Sequence, residues 1–151
     1  MYPPVVILRT VSIEKLSSVL DLCREQWPDN AIHVITSYNR ANELKTDPRV
    51  GQVLSSLKGT VSFAKVLADI EPRAASIVIP IGNQRGGGYG NVFQAIPRNA
   101  AHAYFLVPYC QTLQQTSYFR LQLQYRVEQI LAKVCFPVAH FWTKQILKDL
   151  K

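Results

Sequence analysis

The chain is poor in charge. Only 18% of its 151 residues are Asp, Glu, Lys or Arg, against roughly 25% in an average soluble domain, so part of its surface must be uncharged and apolar. Acidic residues are absent altogether from Pro72 to Val127, a stretch that still holds Arg73, Arg85, Arg98, Arg120 and Arg126. The first 50 residues balance six basic against six acidic side chains, and the later half therefore carries the excess behind the net charge of +7. A field of that sign attracts phosphates, nucleic acid or an anionic membrane surface. Cysteine is scarce too: Cys23, Cys110 and Cys135 have neither metal-type nor redox-type spacing, so neither a disulfide framework nor a zinc site is expected. No apolar run reaches the ~18 residues of a membrane span. The nearest is Ile130 to Trp142, interrupted by Lys133, Pro137 and His140.

What is present is 48% hydrophobic residues, enough for one domain with a real core. The Met-Tyr-Pro-Pro start has no basic region ahead of Val5 to Leu8 and does not read as a signal peptide. With the reducing compartment that the cysteines suggest, the expected location is cytoplasmic, with peripheral contact at the inner face of a membrane.

Val5-Val6-Ile7-Leu8 is wholly apolar and mostly β-branched, the pattern of a strand covered on both faces. Ser12 can cap a helix in which Ile13, Leu16, Val19, Leu20 and Cys23 recur at helical spacing, before Pro28-Asp29-Asn30 ends it. A second strand is expected over Ala31 to Thr36 and a short polar helix or turn over Tyr38 to Lys45. Val50 to Leu57 fits either a helix or a short third strand. A helix over Ser62 to Ile70 leads to a strand over Ser76 to Ile81, with pairing expected to end at Pro80. A short helix from Asn91 to Ile96 and a fifth strand from His102 to Val107 follow. From Ser117 onward the absence of Gly and Pro until Pro137 favours a long helix, kinked at that proline.

Alternating strands and helices predict an α/β fold: a three-layer, doubly wound (Rossmann-like) parallel sheet of about five strands in the order 3-2-1-4-5, spanning 1–116, with an amphipathic C-terminal helix over 117–151 packed on it or at an interface. In such sheets ligands sit outside the carboxyl ends of the strands where the winding reverses. That brings Arg9 to Glu14 beside the glycine-rich segment Gly82 to Asn91.

The segment Gly82-Asn83-Gln84-Arg85-Gly86-Gly87-Gly88-Tyr89-Gly90-Asn91 permits positive φ and close approach of backbone N–H groups to a ligand, and Arg85 adds a planar donor fork. Its spacing is neither a Walker loop nor a dinucleotide fingerprint. The candidate ligand-binding residues are Arg9, Thr10, Ser12, Gly82, Asn83, Arg85, Gly86, Gly87, Gly88, Tyr89 and Asn91, with Glu14 as the candidate general base. His33, His102 and His140 read as packing or surface residues. No metal or cofactor is expected. In the C-terminal helix, Phe119, Leu123, Tyr125, Val127, Ile130, Leu131, Val134, Phe136, Phe141 and Trp142 are interleaved with Arg120, Arg126, Lys133, Lys144 and Lys148. That composition suits an interfacial helix, a partner subunit or a homodimer. Nucleic acid is not an expected partner, because no recognition motif accompanies the sparse basic residues.

The stretch Val5 to Ile13, then Gln26-Trp27-Pro28-Asp29-Asn30-Ala31-Ile32-His33-Val34, Asp47-Pro48-Arg49-Val50 and the apolar strand into Gly82, resembles the N-terminal Rossmann-like domain of heptosyltransferase-like glycosyltransferases of the GT-B fold. The resemblance covers residues 5 to 107. It implies a domain that faces the acceptor, with a nucleotide-sugar or lipid-phosphate ligand nearby and a second domain holding most of the donor. The family's turn reads Ser-Ser-Leu-Gly-Asp, its Asp serving as base; the matching residues here are Val11-Ser12-Ile13-Glu14-Lys15. Lys15 stands in the carboxylate's place, and the second domain lies outside these 151 residues. The resemblance therefore implies binding of a phosphorylated or sugar-containing ligand without catalysis by this chain alone, and the alternative is a non-enzymatic interaction module acting through the C-terminal helix.

Overall fold

A computed structural model describes residues 2–37, 41–56, 76–83, 89–96 and 103–149. The structure is α/β, built on a mixed six-stranded sheet in the order β3-β2-β1-β4-β5-β6. At its centre is β1 (Val5–Leu8), every residue of which is buried. It pairs in parallel with β2 (Ile32–Ser37) on one side and with β4 (Ser76–Ile81) on the other. Both faces of β1 and β4 are covered, which is why they read as mainly apolar runs instead of alternating ones.

Two clusters of buried side chains lie on opposite faces of the sheet. On one, α1 (Ile13–Gln26) contributes Leu16, Val19, Leu20 and Cys23 against Val5, Ile7, Ile32, Val34 and Val78. On the other, Val6, Leu8, Ile35, Ile77 and Ile79 meet Phe93 and Ile96, from α3 (Gly90–Ala95) and its end, and Leu121 of α4 (Tyr118–Asp149). Burial of Cys23 pushes its thiol up to about 12, against the pull of Arg24. It behaves as a core residue and not as a nucleophile.

The short helix α2 (Ala41–Lys45) leads into β3 (Gln52–Ser56), so the described core of the ambiguous run is a strand. The Gly51 N–H donates to Ile32 O at 2.8 Å and starts a parallel ladder running from His33↔Gln52 to Ser37↔Ser56. Pairing with β2 decides what the local sequence left open. The helix expected over Ser62 to Ile70 lies outside the described residues.

Pro80 does not end β4. The strand runs to Ile81 and pairs with β5 (Ala103–Pro108) through Pro80↔Val107 and Ile81↔Pro108, whereas pairing with β1 stops at Ile7↔Val78. The Pro80 carbonyl accepts a hydrogen bond from the Thr10 hydroxyl, just beyond β1. The N–H and C=O of one strand residue point to the same side, so the missing proline donor falls where the ladder has already ended.

The sheet has a sixth strand where five were expected. β6 (Gln114–Thr116) is three polar residues long and pairs antiparallel to β5, with no apolar alternation to announce it. The connection turns through Tyr109 (φ 51°) and Cys110 (φ 59°), consecutive non-glycine residues in the left-handed region. The Cys110 and Gln111 N–H groups donate to the Val107 and Pro108 carbonyls at 3.1 Å. Each such residue costs about 1–2 kcal/mol, and the Tyr109 side chain is exposed and returns little packing. Tyr109→Asn is therefore expected to stabilise the chain by up to about 1 kcal/mol, a rise of about 2–4 °C in Tm in a thermal melt.

Candidate docking face and the carboxyl edge of the sheet

Ser117 opens α4. Its Oγ accepts the Arg120 N–H at 3.2 Å and its carbonyl accepts the Leu121 N–H at 3.1 Å, an N-terminal cap. The first turns then lie on the body. Leu121 is fully buried, Tyr118 and Tyr125 pack on the same cluster, and Gln122 Nε2 donates to Phe93 O at 2.7 Å. Close approach of α3 and α4 depends on Gly90, where a Cβ would lie 3.0 Å from Tyr125 Cδ2 and 3.0 Å from Glu128 Oε2.

The far side of α4 is also apolar, and it is in solvent. Phe119, Leu123, Val127, Ile130, Leu131 and Val134 are between 45% and 74% exposed. At about 100° per residue they occupy an arc of about 120° roughly opposite Leu121, extending about 22 Å along the axis. From Gln129 to Cys135 every residue is exposed, so the helix there has left the body. The helix thus carries two apolar stripes, one of them used by the body. A groove of about 600 Å³ beside the arc is lined by Ser117, Tyr118, Phe119, Gln122, Leu123 and Arg126. The helix continues through Pro137 to Asp149. No helix among the described residues is long and apolar enough to cross a membrane.

The predicted ligand residues divide. Arg9 and Thr10 follow β1: Arg9 Nη1 donates to Thr36 Oγ1 at 3.1 Å, and Thr10 Oγ1 to Pro80 O. Gly82 follows β4, and its N–H donates to the Tyr89 hydroxyl at 2.8 Å, which closes the ends of the glycine-rich segment on each other. Tyr89 also accepts the Val92 and Phe93 N–H groups on its carbonyl, at 2.9 and 3.1 Å. Arg9, Thr10, Gly82 and Tyr89 thus stand at the carboxyl ends of β1 and β4. Ser12 occupies the N-cap position of α1 without a side-chain capping bond, and Glu14 lies in that helix's first turn. Asn83 directly follows Gly82, and Asn91 lies within α3. Arg85, Gly86, Gly87 and Gly88 lie outside the described residues.

A carboxylate lies against the start of the short helix: Glu128 of α4 reaches the Gly90 end of α3. Its Oε1 is buried and has no hydrogen-bond partner among the described residues. A carboxylate beside the first turn of that helix disfavours a second acidic group there. Sequence separation hid this, since Glu128 lies 38 positions beyond Gly90.

The motif Asp47-Pro48-Arg49-Val50 has a structural use. Arg49 bonds Asp47 Oδ1 and Oδ2 at 3.0 and 2.7 Å, Asp21 Oδ1 at 2.6 Å, and Ser17 O and Oγ at 3.2 and 3.0 Å. It ties the turn before β3 to α1. Among the described residues no cluster of His, Cys, Asp and Glu could hold a metal ion.

No protein-family model, curated protein or solved structure matches this chain significantly.

Proposed function

We propose that this chain is a non-enzymatic docking module, in which the α/β body anchors α4 by its inner stripe and offers the outer stripe to a partner. The observation that carries this reading is the outward arc of six large apolar side chains. Soluble monomers rarely leave contiguous apolar patches beyond a few hundred Å² without a use for them. Covering such area is worth roughly 25 cal/mol per Å². The helix gains as well, because a helical segment without tertiary packing is marginal in water.

The test compares the wild type with a Leu123→Gln, Ile130→Gln double variant for binding of an apolar fluorescent probe, self-association by light scattering, and flotation with lipid vesicles. The wild type is expected to bind the probe and to associate in at least one assay. The variant is expected to do neither while melting like the wild type. A wild type that binds no probe and stays monomeric and lipid-free would remove this reading.

A second reading is a doubly wound, Rossmann-like domain, similar to the acceptor-side half of a heptosyltransferase-like enzyme, that binds a phosphorylated or sugar-containing ligand. It is supported by the meeting of Arg9 and Thr10 with Thr36 and Pro80 at the edge where such sheets hold ligands. Titration with nucleotide sugars and polyprenyl phosphates tests it, and absence of binding by the wild type rejects it.

A further inference from the structure

We infer that the surface α4 docks on is an anionic lipid bilayer, with the helix lying along its interface and the α/β body on the aqueous side. This rests on the docking reading above and adds the chemistry of the partner.

Charge is the first reason. From Tyr118 to Cys135 the exposed charged side chains are Arg120, Arg126 and Lys133, all basic; the one acid, Glu128, is turned to the body beside Gly90. A second copy meeting this face would set like charges against like charges, whereas anionic headgroups attract all three. The chain also supplies no acidic residue from Pro72 to Val127 to compensate.

The shape of the apolar face is the second. A two-stranded coil is served by a narrow seam of two positions in every seven. The exposed arc here, from Phe119 through Ile130 and Leu123 to Leu131, is about 120° wide. That breadth suits a helix immersed to a shallow depth at the headgroup and acyl boundary. Arg126 and Lys133 lie along one border of the arc and Arg120 near the other, where their aliphatic stems can run along apolar surface while the charges reach phosphate. Orientation is the third reason: Leu121, Tyr118 and Tyr125, which hold the body, lie on the opposite side of α4. Immersing the outer arc thus leaves the sheet in water.

The experiment is flotation of the full chain with phosphatidylcholine vesicles, with and without phosphatidylglycerol, together with emission from a fluorophore coupled to the exposed Cys135. The wild type is expected to float with the anionic vesicles, to stay largely behind with the neutral ones, and to be released by salt. Its Cys135-linked emission should shift to the blue on the anionic vesicles alone. Arg126→Gln with Lys133→Gln is expected to weaken anionic binding roughly thirtyfold, from about 1 kcal/mol per basic residue near the surface. Leu123→Gln with Ile130→Gln should reduce it to background, and circular dichroism melts should show both variants folded. Equal binding to neutral and anionic vesicles would overturn the inference. So would a wild type that stays out of the anionic lipid fraction. If such a chain instead forms a dimer lost in the Leu123→Gln, Ile130→Gln variant, or binds an acidic amphipathic peptide, the lipid inference fails while the docking reading stands.

Discussion

Leu121→Ala should destabilise this protein by about 2–5 kcal/mol, while Leu123→Ala, two residues along the same helix, should change stability by no more than about 0.5 kcal/mol. Both are leucines in α4 with the same intrinsic helix preference. Leu121 is fully buried in the cluster with Phe93, Ile79 and Tyr104, whereas Leu123 is half exposed on the outer arc. Removing the first leaves a cavity between α4 and the sheet; removing the second deletes surface already in water. Urea unfolding of the two variants, followed by far-ultraviolet circular dichroism, measures the difference. Equal losses would mean that α4 packs through its other face. The same pair should behave oppositely in docking, because the outer leucine belongs to the surface offered to a partner.

Arg49→Ala is the second large effect, expected to cost about 1–3 kcal/mol at neutral pH. The Arg49 side chain is 29% exposed and its partner Asp47 18%, so this pair is partly shielded; Asp21 is 68% exposed and adds little. The loss has a pH signature. Side-chain hydrogen bonding to Arg49 lowers the Asp47 pKa below its ordinary 3.8, with burial opposing. A carboxyl with a depressed folded pKa contributes stability that is present above its unfolded value and is lost as pH falls through the folded one. The wild type should therefore lose stability below about pH 4, and Arg49→Ala should flatten that limb. His33 acts higher on the scale: burial lowers its pKa from 6.5, so protonation opposes the fold. Its contribution declines as pH falls below about 6.5. Arg49→Ala should leave that window unchanged and His33→Gln should remove it. Thermal melts across pH check both.

Much of the body was legible in the residues. Val5 to Leu8 and Ser76 to Ile81 are short, mainly apolar and rich in β-branched residues, and their length and branching favour a strand buried on both faces over a helix. The spacing of Leu16, Val19, Leu20 and Cys23 defined one face of α1. From these came the order of the first five strands. β6 was hidden because Gln114 to Thr116 hold their place through backbone bonds to β5, and polar side chains carry no sign of that. Pro80 was read as a stop because proline's missing donor is a local fact, while the side of the strand it faces is not. At the candidate site, the meeting of the β1 and β4 ends followed from strand order. The carboxylate of Glu128 against Gly90 did not.

The outer face of α4 divides these two kinds of information most clearly. By itself the sequence determined that residues after Ser117 form a long, basic, apolar-rich helix, because periodicity and propensity act within a few residues of each other. It could not say which apolar residues the body would use, since two stripes on one helix compete for a single docking surface. Tertiary structure decided that contest: Gly90 leaves room for Tyr125, and Leu121 fills the space over Phe93 and Tyr104. Packing those residues inward turns Phe119, Leu123, Val127, Ile130 and Val134 toward solvent.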